Sequence, residues 1–398
     1  AVMRYRILLA LFGTAVYLAL VLGIYFGFSS RVVGANDFYP RWRGATALLL
    51  EGRSPYSEEV TWQIQREMYG RLARADEDQV AFAYPLYVAF MISPLVLMPY
   101  AWAQASWMAL LIFAVIGGVL ILSRGVHLRP FGLAWLVLGV LVSYPVVRGV
   151  FLGQFALTSF GFVVLAMLSI KSERDYLAGV MLILATCKPQ DVVLIIPLVL
   201  LWAARARRWK IWIGASLSAI LLVGLPMLLV PDWPAQFYRA VTIYPSYAPI
   251  GPPLDNLLRL FVPASFASTA FAISGLGMLL IMLWFWWRDR GKSWDDLRET
   301  FDFTALVTTL VAIRIGTPDQ VFLLLPWQSW IREWRADGKY LRIGAAASLL
   351  IVLPWLVFLS SLQGIAEDPR VTILLPMLTL VTFVLTRLER WKNTAFLS

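Results

Sequence analysis

The sequence predicts an all-α, polytopic membrane protein, with about twelve transmembrane helices forming one integral domain over residues 1–398. Three observations carry that expectation. Of the 398 residues, 60% are hydrophobic and 18 are Trp. The mean hydropathy is +0.72. Apolar runs of roughly 17–25 residues recur from end to end, and about 20 residues at 1.5 Å rise cross the hydrocarbon. The first run lacks a small-residue cleavage site and is long enough to span, so it reads as a retained helix and not as a signal peptide.

The first span covers about Ile7 to Phe28 and is followed by the most polar stretch of the chain, residues 31–80. Within it, Phe38 to Glu51 predicts a helix with Trp42, Ala45, Leu48 and Leu49 on one face and Gly52 as its stop. A second helix is expected over Glu58 to Arg74, where Val60, Ile64, Met68 and Leu72 recur every four residues. Glu58 and Glu59 at its start and Arg71 and Arg74 at its end suit the helix dipole. Two amphipathic helices in one loop are expected to lie on the membrane surface. Further spans are read at Ala81–Met98, Ala101–Leu122, Phe131–Val150, Phe155–Ile170, Tyr176–Trp202 with an interruption at Lys188-Pro189, Ile211–Val230 and Ser265–Trp287. Phe301–Ile331 reads as a hairpin of two short spans turning at Gly316-Thr317-Pro318, and Ile343–Ser360 and Val371–Thr386 finish the chain. No internal repeat is evident.

The formal charge of +10 points to topology and not to nucleic acid, because the excess sits in short loops between spans. Arg205, Arg207, Arg208 and Lys210 form one basic cluster, Arg288, Arg290 and Lys292 a second, Arg332, Arg335, Lys339 and Arg342 a third, and Arg387, Arg390 and Lys392 a fourth. Placing these in the cytoplasm, with Tyr176–Trp202 as one kinked helix, puts both termini inside and residues 31–80 outside. Counting that segment as a hairpin reverses the first half. The kink is preferred because it also leaves Arg4 and Arg6 inside.

Cys187 is the only cysteine and His127 the only histidine. That excludes an intrachain disulfide and a cysteine cluster, and a triad or a zinc site would hang on one residue in a basic loop. No cofactor or metal is implied, and acid–base chemistry falls to a carboxylate. Asp37 stands a few residues beyond the first span. It competes with a plainer reading, in which Asn36 or Asp37 caps the helix that begins near Phe38. Position favours catalysis, because a sugar carried on a lipid phosphate presents its anomeric carbon near headgroup level. Such a transfer needs one base for the acceptor hydroxyl and cations for the departing phosphate. Ionisable groups inside spans are costly and therefore candidates. Lys188 and Asp191 lie one turn apart beside Pro189, and Arg314 and Asp319 bracket Pro318. These read either as structural salt bridges or as an outward cavity for an anion. Donor-phosphate candidates are Arg314, Lys188, Arg259 and Arg41, with Tyr84, Asp319 and Gln190 as pocket candidates. Residues 231–263 form an aromatic, proline-rich outer loop that suits a sugar, a lipid headgroup or an interfacial belt.

The strings DFYPRWRGATALLLEGRSPY, YPLYVAFMISPL, GQFALTSFGFVVLAML and LAGVMLILATCKPQ, in that order after a first span, resemble glycosyltransferase family 87 of the GT-C superfamily, which includes polyprenyl-phosphate-mannose-dependent α-mannosyltransferases. The resemblance implies a GT-C fold, a polyprenyl-phosphate sugar donor, no metal requirement and a catalytic aspartate in the first outer loop, which maps to Asp37. Tyr84-Pro85 matches the family's Tyr-Pro opening of the second span, and Lys188-Pro189 its Lys-Pro break. The family's Ser-Pro-x-x-Trp-x-His-like string is replaced here by GTPDQVFLLLPW, without histidine.

The function expected is therefore inverting transfer of mannose or another hexose from a polyprenyl-phosphate donor to a lipid or glycan acceptor at the outer face of a bacterial inner membrane. Two other classes compete. A transporter or lipid flippase explains the intramembrane charges but usually brings internal repeats. A non-catalytic assembly subunit uses the polar first loop for docking. An assay with labelled polyprenyl-phosphate sugars separates them.

Overall fold

The computed structural model describes residues 2–32, 37–124, 128–243, 251–361 and 368–395, and every element among them is helical. In chain order these are α1 (Val2–Ile24), extended by a π-helical turn Tyr25–Ser29, α2 (Phe38–Glu51), α3 (Glu58–Tyr69), α4 (Tyr87–Met91) and α5 (Tyr100–Leu122). Then come α6 (Pro130–Leu141), α7 (Tyr144–Leu152), α8 (Ala156–Lys171), α9 (Asp175–Leu184), α10 (Pro189–Val192), α11 (Ile195–Arg205) and α12 (Trp209–Met227). The remainder holds α13 (Trp233–Ile243), α14 (Pro253–Phe261), α15 (Ala264–Arg288), α16 (Arg298–Val311), α17 (Leu324–Ala336), α18 (Tyr340–Ser360) and α19 (Pro369–Ala395). His127, Asn36 and residues 244–250 of the aromatic loop lie outside the described residues.

The chain is a multi-pass membrane protein. Among the described residues, six helices are long and apolar enough to cross a membrane: Ala10–Ser29, Tyr100–Leu122, Trp209–Met227, Ala264–Arg288, Tyr340–Ser360 and Pro369–Arg390. A seventh is added if α6 and α7, bent by 59° at their junction, count as one span. The roughly twelve spans expected from apolar run length are not all matched by helices of that length, because Phe155–Ile170 folds as the 16-residue α8 and proline breaks several of the other runs. The run read as Ala81–Met98 carries Pro85 and Pro94, and folds as the five-residue α4 and a 3-10 turn Ser93–Leu97. The run Phe131–Val150 breaks ahead of Pro145, where the Ser143 hydroxyl donates to the Val140 carbonyl at 2.6 Å. Tyr176–Trp202 divides into α9, a 3-10 turn Ala185–Cys187, α10 and α11, because Pro189 withholds a backbone N–H. The expected hairpin is α16 followed by a turn, a 3-10 stretch Thr317–Leu323 and α17.

The fold partitions into two compact units, each assembled from three chain segments. The first comprises Ala1–Gly117, Arg148–Thr158 and Leu217–Pro249. Here α1 packs on α5: Tyr25 stacks on Trp102 with centroids 3.6 Å apart, Tyr17 donates to the Ser106 carbonyl at 3.0 Å, and Ser29 to that of Ala101 at 2.8 Å. The loop helices run close to expectation. α2 ends at Gly52, and α3 begins with Ser57, whose hydroxyl accepts from the Val60 N–H at 3.4 Å. α3 stops at Tyr69, short of Arg74, because Gly70 adopts φ +70, a left-handed turn that glycine takes without steric cost. Their apolar faces do not wait for lipid. Ala47, Val60, Ile64 and Val80 pack together in a core of the protein's own making.

The second unit comprises Gly118–Val147, Ser159–Ser216 and Ile250–Ser398. Its centre is α16, buried continuously from Thr300 to Leu310. Thr304, Thr308 and Thr309 sit in that apolar setting because each hydroxyl donates to the carbonyl four residues earlier. Around α16 and its own Phe303 lie Phe285, Trp327, Trp330 and Phe383. α9 meets α12 where two glycines face: a Cβ on Gly179 would come 2.2 Å from the Ile211 carbonyl oxygen, and one on Gly214 2.3 Å from that of Tyr176. Small residues let helix backbones touch in this way. Backbone cannot step aside as a side chain can. Gly179→Ala is therefore expected to cost about 1–3 kcal/mol and to lower the melting temperature of the detergent-solubilised protein. An unchanged melting curve would show that the two helices do not meet there.

Candidate active site

The first unit brings together four residues from distant parts of the chain: Asp37, Arg41, Tyr84 and Gln154. Asp37 occupies the position before α2, yet its side chain makes no capping hydrogen bond to the helix. The plainer of the two sequence readings, a simple N-cap, is thus not what the carboxylate does. Instead its Oδ2 accepts a hydrogen bond from the Gln154 amide Nε2. The Gln154 Oε1 in turn faces the Tyr84 hydroxyl at 3.5 Å. Arg41 follows Asp37 by one helical turn, is 7% exposed, and lays its guanidinium 4.5 Å from the centroid of the Tyr84 ring. The Tyr84 carbonyl is tied by the Tyr56 hydroxyl at 2.6 Å.

Local packing explains the meeting. Phe38 is fully buried and stacks on Trp107, with centroids 5.2 Å apart. Gly153 presses against it in a left-handed conformation of φ +70, where a Cβ would come within 2.6 Å of the Phe38 Cβ. The Trp107 indole donates to the Gly153 carbonyl at 2.9 Å. With 38 against 153, the neighbours 37 and 154 are brought into register.

A second carboxyl completes the site. Asp78 takes the Val80 N–H on Oδ1 at 2.8 Å and lies in the field of both Arg41 and Asp37. Burial pushes its pKa above the ordinary carboxylate value, and the Asp37 charge adds to that, against the Val80 N–H and the Arg41 guanidinium. Val80 carries a φ of +45, rare for a β-branched residue, and such strain persists only where the surroundings enforce it. Neither Asp78 nor Gln154 stood out in the sequence. Asp78 was one acid among several in a charged loop. Gln154 enters the sequence reading only as the second residue of the string GQFALTSFGFVVLAML, with no role of its own.

The other candidates belong to the second unit. Lys188, 6% exposed, pairs with Asp319 and not with Asp191, its sequence neighbour. Asp319 also accepts the Gly316 N–H at 2.6 Å, closing the turn before the 3-10 stretch. Asp191 is buried within the field of both partners. Gln190 is half-buried on α10. Gln320 donates to the Thr372 carbonyl at 2.7 Å, and Asn256 to the Thr372 hydroxyl at 3.1 Å. Arg259, half-exposed, pairs with Asp255 at 2.7 Å one turn earlier. Arg314 is half-buried and holds a left-handed backbone at φ +64. In the aromatic loop, Trp233 is buried, donating to the Val223 carbonyl at 3.1 Å, and Gln236 accepts from Ser54 at 2.8 Å. Within the first unit, that contact sets α13 against the polar first loop. Among the described residues, no group of three or more His, Cys, Asp or Glu side chains is arranged for a metal ion.

The raised Asp78 pKa has a direction that can be measured. A carboxyl that binds its proton more tightly when folded supports the fold fully below the unfolded pKa, and that support is lost as pH rises through the folded pKa. Asp78→Asn keeps the oxygen that accepts from Val80 and removes the ionisation. The variant is expected to melt at or above the wild-type temperature at pH 7, with the gap closing as pH falls through the carboxylate range. A gap that widens on acidification would mean that Asp78 is stabilised as the anion.

The profile of glycosyltransferase family 87 matches residues 82–314. The match takes in Tyr84, Gln154, Lys188, Gln190, Arg259 and Arg314, but begins after Asp37 and Arg41 and ends before Asp319. No curated protein and no solved structure gives a significant match. The family match covers more than half of a chain whose helices suit a membrane, and on that ground the chain belongs to glycosyltransferase family 87 and is a multi-pass membrane glycosyltransferase.

Proposed function

We propose that the chain catalyses inverting transfer of a hexose, mannose in the first instance, from a polyprenyl-phosphate donor to a lipid or glycan acceptor, with Asp37 as general base. The observation that carries this reading is the carboxylate itself: it leaves its own helix uncapped and is oriented by Gln154 beside Arg41. A helix-capping aspartate would spend its oxygens on backbone N–H groups. One steered by an amide, with an arginine one turn further along the same helix, is set for chemistry. In the step proposed, the acceptor hydroxyl passes its proton to Asp37 as its oxygen bonds to the anomeric carbon. The bond from that carbon to the phosphate oxygen breaks, and the lipid phosphate leaves with the electron pair. A β-linked donor then gives an α-linked product. Gln154 fixes which carboxylate oxygen faces away from the amide, and Asp78, committed to the Val80 N–H, stands behind as a structural acid.

The departing phosphate gains charge, so a fixed cation is worth more in the transition state than before it. Arg41 takes that role here, as the cation on the same helix as the base. Lys188 and Arg259 are weaker candidates because each already answers a carboxylate. Arg314 remains one on account of its strained backbone. The reading also places the catalytic loop on the extracytoplasmic face of a bacterial inner membrane with both termini inside, which the positions of the basic clusters support. A GT-C fold is expected with it.

Asp37→Asn is expected to fold and bind donor while losing roughly 10²–10⁴-fold in turnover. In the same assay, Arg41→Ala should lower turnover more than it weakens donor binding. Near-normal turnover of Asp37→Asn would end the general-base reading. Cation chemistry supplied by arginine also predicts full activity after EDTA treatment. Loss of activity that Mg²⁺ or Mn²⁺ restores would put a metal in Arg41's place.

A further inference from the structure

We propose that the second unit carries a binding site for an anionic phospholipid, independent of the glycosyl-transfer reading. A cavity of about 560 Å³ opens where the last turns of α5 and α8 meet the α15–α16 connection and α17. That volume falls within the range of small-ligand sites and suits a glycerophosphate headgroup with the first carbons of its acyl chains. Its wall is divided by chemistry. One side is hydrocarbon, with Leu122, Val164, Leu168 and Trp294. The other carries four cations, Arg124, Lys171, Arg298 and Arg332, against one carboxylate, Asp295.

The cations are not equally engaged. Arg298 is occupied, pairing with Asp302 at 3.1 Å and donating to the Ser329 hydroxyl at 2.7 Å. Lys171 meets Asp295 only loosely, at 3.5 Å, with the two side chains 67% and 75% exposed. Arg124 is exposed and has no side-chain hydrogen bond or ion pair among the described residues. Helix C-termini ordinarily repel an anion, because their unpaired carbonyls carry partial negative charge. Here Arg332 donates to the carbonyls of Leu122 and Arg124, at 3.4 and 3.2 Å, and cancels that field at the end of α5. An apolar wall at the end of two membrane-length or near-membrane-length helices, capped by loosely paired cations, matches a ligand whose charge sits on top of hydrocarbon. A soluble phosphate would leave the apolar wall unused. Basic pockets between helices at the headgroup level are a general solution for acidic lipids.

The test uses the full chain, delipidated in neutral detergent and titrated with phosphatidylglycerol or phosphatidylcholine, with retained lipid counted by native mass spectrometry. Wild type is expected to retain phosphatidylglycerol in preference to phosphatidylcholine. The Arg124→Ser/Lys171→Ser variant should lose roughly tenfold to thirtyfold in phosphatidylglycerol affinity. An Arg205→Ser/Arg207→Ser control, which removes the same charge from exposed positions elsewhere, should retain it. Equal retention of both lipids, equal losses in the two variants, or displacement of phosphatidylglycerol by millimolar inorganic phosphate would each overturn the proposal.

Discussion

The first unit turns on how closely two backbones approach. Phe38 and Gly153 touch so tightly that a side chain at 153 has no place, and the left-handed turn there independently favours glycine. Because the contact is between residues 38 and 153, the flanking positions 37 and 154 meet without further arrangement. Trp107 seals the contact from both directions, stacking on Phe38 and donating to the Gly153 carbonyl. Core packing, not the polar residues, thus determines where the Asp37 carboxylate points. The hydrogen bond from Gln154 is a product of that geometry.

In the second unit, the governing cost is that of charge away from water. A buried ammonium is tolerable only with a partner, and Lys188 finds one in Asp319 across the fold. The pair joins the break after α9 to the turn after α16, two places where proline has interrupted the backbone ladder. Each break keeps local backbone hydrogen bonds, and the ion pair ties the two to each other. The same economy appears at the opposite chemical extreme, where Gly179 and Gly214 dispense with side chains altogether so that two apolar helices can touch.

Local signals are legible in this sequence and distant ones are not. α2 was legible to the residue, since its apolar face, polar start and Gly52 all lie within fifteen positions, and the start of α3 at Glu58 likewise. The membrane class followed from run length alone. Span count did not, because run length says nothing of whether Pro85, Pro94 or Pro145 will let a run continue as a helix. The partner of Lys188 was misjudged for a related reason: Asp191 is near in sequence, whereas Asp319 is near in space. Asp37 stands out in the sequence by its position relative to a span. Gln154 and Asp78 do not, since what distinguishes them is only what they touch.

The hydrogen bond between Gln154 and Asp37 joins residues 117 positions apart. At ordinary rates of synthesis, Asp37 is therefore added to the chain roughly 6 to 23 s before its partner. During that interval α1 has been made and the polar loop behind it is complete in sequence, with Phe38 lacking the glycine it packs against. The loop that carries Asp37 is thus built early and set late, and a nascent chain stopped anywhere before α7 has ended carries Asp37 without the amide it meets in the fold.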